Sequence, residues 1–421
     1  MRTEEPSSPL LENEAEARLE TALADVSRII CFANDWKGDP TSKHHIMRRF
    51  SRIRPVEWIE ASGMRIPNLA SSADWGRIGR KVASRFKRKP GEFKRKPGEG
   101  GRSEPVRVHT PLTVPAPGNP LAHRFNLGVY RRLLRPLQDP SRPPLHWVYT
   151  PTVAAYLDLL TDGPLVYHCV DRWWEFSEYD SELMRRYHER LCRASSVVIA
   201  SASELLGDCL PLNPNSHLVR HGVDWGHFAP AALNPSETAK PAELRDLRGP
   251  IVGFWGLIHD WVDVEAVADL ARALPHVNVI LIGSARTDVS ALRARPNVRL
   301  LGQKPYGSLP DYARWFDVAL VPFRLNELTR AVNPIKLREY LSAGVPVVAT
   351  ALPEVTAMAF HGLRSYEGSD GLVEQVSNIL ESPLVQEDRI RLAQSMAKES
   401  WEFKCAEMAE LATGRSVGAP A

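Results

Sequence analysis

The feature that most constrains this chain is an alternation that persists through most of its length. Short apolar, β-branched runs recur, separated by longer amphipathic or polar segments. The runs are SRIICFA (27–33), PVEWIE (55–60), PVRVHT (105–110), LHWVYT (145–150), PLVYHC (164–169) and SSVVIA (195–200), then PIVGFW (250–255), VNVILIG (277–283), NVRLLG (297–302), DVALVPF (317–323) and VPVVAT (345–350). Runs that are apolar at consecutive positions need burial on both faces, which parallel strands covered by helices provide. Strand–helix alternation builds βαβ units. Eleven strands are many for one open sheet, and the polar segment AALNPSETAKPAELRDLRGP (231–250), with its three prolines, divides them. The expectation is an α/β protein with two doubly wound parallel-sheet domains, at 26–230 and 250–385, joined by a hinge linker at 231–249. Residues 1–25 read as a polar, poorly packed extension, and 386–421 as closing helices and a tail.

Composition narrows the function classes. With 53 Lys+Arg against 50 Asp+Glu, the net charge of +3 is too small for nucleic-acid binding by the whole molecule. No stretch reaches the ~18 apolar residues of a membrane span. The acidic start, MRTEEPSSPLLENEAEARLE, is unlike a secretory signal. Cys31, Cys169, Cys192, Cys209 and Cys405 are odd in number, scattered and free of any CxxC pair, so they read as buried reduced thiols of a cytoplasmic protein, with neither a disulfide nor a zinc site expected. Charge concentrates locally at 77–102, where the heptapeptide FKRKPGE occurs twice in tandem (86–92 and 93–99). Pro and Gly in each copy make this a cationic loop on the first domain. It reads either as a solubilising loop or as a contact with an anionic membrane surface, at roughly 1 kcal/mol per basic residue.

The chemistry is expected in the loops beyond the carboxyl ends of the strands. The richest follows 317–323: RLNELTRAVNPIKLREYLSAGVPVVAT. Asn333 suits an N-cap and Pro334 the first helical position. Lys336 and Glu339, three apart, share a helix face. Gly344 fits a left-handed position past the helix end, and Pro346 the start of the next strand. Such a helix N-terminus attracts anions, and Arg330 and Lys336 add formal charge for a diphosphate. Glu339, one turn in, is placed to accept hydrogen bonds from sugar hydroxyls. The competing reading is an exposed helix with solvated charges.

The run Pro334-x-Lys336-x-x-Glu339-x-x-x-x-Gly344-x-Pro346-Val347-Val348 resembles the donor-binding signature of glycosyltransferase family 4, of GT-B architecture. HLVRHGVDWGHFAP (217–230) resembles the family's strand and turn ahead of the hinge, and GFWGLIHDW (253–261) its glycine-bearing first βα turn. YHCVDRWWEF (167–176) resembles a subset linked to bacterial polysaccharide synthesis. The resemblance implies two Rossmann-like domains facing across a cleft, the second binding a nucleotide-diphosphate sugar and the first a glycan or lipid-linked acceptor, with retention at the anomeric carbon. It implies that Glu339 holds the ribose hydroxyls, that Lys336 lies near the diphosphate and that Gly256 lets phosphate approach the backbone. Three positions depart from the pattern. The residue eight before Glu339 is Ala331 where the family often has Glu, leaving Glu327 as a substitute from the loop. LIHDW follows Gly256 where an Arg and a Lys are usual, leaving Arg330 and His259 to supply charge. His221 replaces the usual Asn before Gly222.

On the facing domain, His168 and Asp171 follow the strand at 164–169. His168 reads either as a contact to a donor-sugar hydroxyl or as a core histidine, and Asp171 as a group that orients the acceptor. Trp173, Trp174 and Phe176 read either as a platform for a sugar or lipid or as packing. ANDWKGDPTSKHH (33–45) takes the acceptor-side position; its adjacent His44 and His45 make a poor metal pair, as do His217 and His221 on a strand and turn. No Asp-x-Asp pair occurs, so no metal cofactor is expected. The expectation is a cytoplasmic glycosyltransferase, on the inner face of the plasma membrane if the basic loop docks there. A nucleotide-sugar 2-epimerase-like enzyme of the same fold and a non-catalytic nucleotide-sugar-binding scaffold are the alternatives. A dehydrogenase is disfavoured, since no strand leads into GxGxxG.

Overall fold

The computed structural model describes residues 8–61, 106–139, 141–176, 178–234 and 240–415. The first sheet holds β1 (Ile29–Ala33), β2 (Val56–Glu60), β3 (Arg107–His109), β4 (Leu145–Val148), β5 (Leu165–Cys169), β6 (Val197–Ala200) and β7 (Ser216–Leu218), in the order β3-β2-β1-β4-β5-β6-β7. The second holds β8 (Ile251–Trp255), β9 (Asn278–Ile282), β10 (Val298–Leu300), β11 (Val318–Val321), β12 (Val347–Thr350) and β13 (Leu363–Tyr366), in the order β10-β9-β8-β11-β12-β13. Every named pairing is parallel; Ile29, for example, faces Val56 on one side and Leu145 on the other. Strand order reverses between β1 and β4 and between β8 and β11, and ligands of open α/β sheets bind beyond such points.

The consecutive apolar runs are explained by two-sided burial. On β1, Ile29, Cys31 and Ala33 enter one core with Ile46, Trp147 and Trp401, while Ile30 and Phe32 enter the opposite core with Tyr130, Tyr167 and Leu191. All eleven expected runs contain a strand. β13 was not among them because it is an edge strand with Arg364 and Ser365 exposed, so burial never selected for apolar residues there. β7 is an edge strand of the first sheet and is equally short of apolar signal.

Two expectations are corrected. The N-terminal segment is not loosely attached: a helix, Ser8–Ala22, packs on the Trp401–Thr413 helix, burying Ala15, Leu19 and Ala22, with Arg18 bonded to both carboxylate oxygens of Glu410 at 2.9 Å. Spacings of four and three make an apolar stripe that overall polarity concealed. The crossing between domains also lies earlier than 231–249. Trp225, Phe228 and Ala231 already belong to the second core, so the chain crosses between 218 and 225. It returns beside itself: Val223 N–H donates to the Glu399 carbonyl (2.9 Å) and Trp401 N–H to the Val223 carbonyl (3.0 Å). Gly222 is required here, because an added Cβ would lie 2.9 Å from the Trp401 ring. The basic segment 77–102, with its tandem heptapeptide, lies outside the described residues, as do residues 235–239 of the expected linker. No helix among the described residues is long and apolar enough to cross a membrane.

Candidate functional site

The site is built at the carboxyl ends of β8 and β11. β8 ends in Trp255, and Gly256 follows at φ +143°, a conformation open to glycine. A Cβ on Gly256 would sit 2.3 Å from Lys336 Cε, so the bare backbone lets the Lys336 stem lie directly across the turn. Lys336 is the second residue of the Ile335–Ser342 helix. The first-turn N–H groups of this helix have no preceding helical carbonyl to bond. Ile335 packs against the core of the first domain, which puts this helix end in the cleft between the domains. Among the described residues neither Lys336 nor Arg330, the last residue of the Glu327–Arg330 helix, forms an ion pair. The helix stops at Gly344, whose φ of +71° and neighbours at 2.7 Å from an added Cβ leave no room for a side chain.

Glu339 is buried at the floor of this arrangement. Its Oε2 accepts a hydrogen bond from Trp255 Nε1 at 2.8 Å, while Trp255 N–H donates to Tyr340 Oη at 2.7 Å. Burial raises the Glu339 pKa, and Lys336 and the indole bond oppose that shift. Tyr306 and His227 close the neighbouring wall, with ring centroids 4.8 Å apart. From the first domain, His45 reaches Tyr306 at 5.8 Å between rings.

Asn333 and Pro334 take other positions than expected. Pro334 is the residue flanking the helix, and Asn333 caps nothing. The Asn333 amide is buried, donating to Glu354 Oε2 (3.0 Å) and accepting from Arg338 Nη1 (2.8 Å). Arg338 is wholly buried, bonds Glu399 (3.0 Å), and has its pKa lowered by burial. Glu354 also accepts from Arg220 (2.6 Å) and from the backbone N–H of Ser203 (2.5 Å). Asn333 thus belongs to a polar latch between domains rather than to the donor surface.

On the facing domain, His168 is a core residue. It is 0% exposed, stacks on Tyr149 at 4.9 Å, and neither ring nitrogen has a hydrogen-bond partner, so it cannot reach a sugar. Burial drives its pKa well down. Trp173 and Trp174 are likewise packing, both buried, with the Trp174 ring against His188 at 4.7 Å. Asp171 is half-buried beyond β5, with Lys43 as its charged neighbour; burial raises the carboxyl pKa to about 6 against the pull of Lys43. Glu327 is exposed and faces Arg172 of the first domain at 3.6 Å. His259 is bonded to Asp260 and stacks on Trp261 at 4.3 Å. Ala331 is buried in the core of the first domain. A glutamate there would be a carboxylate placed among apolar side chains.

The structure therefore brings Gly256, Lys336 and Glu339 together and removes His168 and Asn333. The sequence reading missed Trp255, Lys43 and Arg172. Each lies within a quoted motif, but only the fold shows that Trp255 holds Glu339 or that Lys43 faces Asp171.

Two all-parallel domains facing across a cleft, with a basic helix end at the switch point of the second, define the GT-B class of glycosyltransferase folds. Residues 249–382 match the profile of the family described as glycosyl transferases group 1. It is 25% identical over 258 residues to the Bacillus subtilis (strain 168) protein TuaH, named as a teichuronic acid biosynthesis glycosyltransferase; the match spans 56% of this chain and 64% of TuaH. Its fold resembles sucrose-phosphate synthase from Thermosynechococcus elongatus (TM-score 0.64, 14% identity, 91% of this chain and 98% of that one). It also resembles Anabaena HepE in complex with UDP and glucose (TM-score 0.55, 15% identity, 91% and 95%).

Proposed function

We propose that the protein transfers a sugar from a nucleotide-diphosphate sugar to a glycan or lipid-linked acceptor, with retention at the anomeric carbon, in polysaccharide or cell-envelope glycan synthesis. The observation that carries this reading is the ion-pair-free Lys336 laid across the Gly256 turn at a helix N-terminus inside the interdomain cleft. Breaking the bond between the anomeric carbon and the diphosphate oxygen leaves negative charge on the departing nucleoside diphosphate. Lys336, Arg330 and the first-turn N–H groups stabilise that charge as it develops. These fixed charges need no metal ion to assist them.

Glu339, with Oε2 held by Trp255, offers Oε1 to the ribose hydroxyls. On the donor's own face, the acceptor hydroxyl attacks and its proton passes to the leaving phosphate, so no separate protein base is required. Lys43 and Asp171 are the polar groups of the first domain suited to orienting that acceptor. The name of TuaH favours an acceptor in cell-envelope polysaccharide synthesis, and the basic segment 77–102 suits an acceptor held at an anionic membrane.

The test is a panel of nucleotide sugars with envelope glycan acceptors, scored for nucleoside diphosphate released only when acceptor is present. Glu339→Ala is expected to weaken donor binding at least about tenfold, the value of one hydrogen bond to a charged group, while remaining folded. Release without acceptor, or unchanged donor affinity in Glu339→Ala, would remove the assignment.

A further inference from the structure

Three of the five cysteines meet a histidine inside the first domain, away from the cleft. Cys169 ends β5; His188 and Cys192 lie four apart on one face of the Ser181–Ala194 helix; Cys209 ends the Ser203–Cys209 helix. All four are buried, with exposures of 0–2%. Ligand atoms of Cys169, His188 and Cys209 all lie within 4.8 Å of one another. Cys169 Sγ and Cys192 Sγ each lie 4.0 Å from the same ring nitrogen, His188 Nδ1.

We propose that Cys169, His188, Cys192 and Cys209 form a closed, structural Zn2+ site. Bond lengths of about 2.3 Å to sulfur and about 2.0–2.1 Å to nitrogen set ligand atoms of a tetrahedral site roughly 3.5–3.8 Å apart. The Cys169, His188 and Cys209 ligand atoms lie within 4.8 Å of one another and Cys192 Sγ 4.0 Å from His188 Nδ1, so metal uptake draws the four side chains inward by up to about 1 Å. A three-thiolate, one-imidazole set suits zinc and leaves no open position, which makes the site structural rather than catalytic. Backbone support is present: Asn213 Nδ2 bonds the Cys192 carbonyl (2.8 Å) while its N–H bonds the Cys209 carbonyl (3.0 Å), and metal at His188 Nδ1 would displace the Tyr167 hydroxyl that lies 3.2 Å from that nitrogen. Uptake replaces protons: one Zn2+ binds, three thiols each lose H+, and neutral His188 donates a lone pair. Linear spacing hides the site, because 18, 3 and 16 residues separate successive ligands and no CxxC occurs.

The site would fasten the carboxyl end of β5, from which Asp171 and Arg172 extend toward the cleft, to the two helices behind it. The test uses the full chain, expressed with added zinc, desalted and assayed for metal by mass spectrometry. About one zinc per chain is expected, falling to below about a tenth in Cys192→Ser and Cys209→Ser. Co2+ added to chelator-stripped wild-type protein is expected to give the intense visible bands and thiolate charge-transfer absorption of a tetrahedral site, a readout that depends on no variant. Chelation is expected to lower Tm by about 5 °C or more. Protein free of zinc with wild-type Tm, absence of the cobalt spectrum, or a Cys169–Cys209 disulfide in thiol titration would each overturn the proposal. None of these readouts depends on the transferase assay.

Discussion

At the scale of single residues, environment decides which of the chemically attractive side chains are available. His168 and Glu339 are both buried, yet only Glu339 has a partner, the Trp255 indole, that fixes a carboxylate oxygen beside a cation. His168 has two unpartnered ring nitrogens. Replacing an unsatisfied buried polar side chain by an apolar one of similar size removes a desolvation cost of about 1–3 kcal/mol. His168→Leu is therefore expected to raise the urea midpoint while leaving turnover within about twofold. A large loss of turnover in a stably folded variant would return His168 to the reaction. Sequence alone left His168 between two readings because a histidine closing an apolar strand has the same local pattern whether it faces a core or a cleft. Ala331 shows the converse. Its departure from the family pattern is legible in the sequence, but the reason, burial in the core of the first domain, is a long-range contact.

Single elements show why some local signals were decisive. The Ile335–Ser342 helix was readable because its Gly344 stop and apolar strand β12 are set by local backbone chemistry. Its start was misread by one residue because the Asn333 amide is drawn into the Glu354–Arg338 latch, a contact between distant segments. At Gly344, a side chain would face both φ +71° and the Arg389 carbonyl at 2.7 Å. Gly344→Ala is expected to cost roughly 1–3 kcal/mol of stability, measured as a lowered urea midpoint at constant slope. A change below about 0.3 kcal/mol would mean the helix end tolerates a side chain. The Ser8–Ala22 helix was missed for the opposite reason. Its stripe is narrow, and its value comes from the Trp401–Thr413 helix far along the chain.

Over the whole molecule, eleven of the thirteen strands and their division between two sheets follow from the apolar runs, whereas the strand order and the path between domains do not. The crossing depends on Gly222 meeting Trp401 and on two backbone bonds between distant segments. The molecule also carries buried histidines. Burial lowers the pKa of His45 to about 2 and of His221 to about 3, and that of His44 and His146 to about 4, from the usual value near 6.5. Each is neutral when folded and binds a proton more readily when unfolded. Their contribution is therefore complete above about pH 6.5 and is lost as pH falls toward the folded values. Roughly 2 kcal/mol per histidine is expected to disappear between about pH 7 and about pH 5. Chemical denaturation at the two pH values measures this, and equal stabilities would mean these rings are accessible to protons in the folded state.

The central claim is that a helix end bearing Lys336 grips a diphosphate over the bare backbone of Gly256. Calorimetric titration of nucleosides and their diphosphates into wild-type protein and Lys336→Ala tests it most directly. The account predicts that the wild type binds one diphosphate far more tightly than its nucleoside, and that Lys336→Ala loses that preference by about 10-fold or more, as for one charge-assisted contact, while remaining folded. Equal affinity for nucleoside and diphosphate, or an unaltered preference in Lys336→Ala, would contradict it.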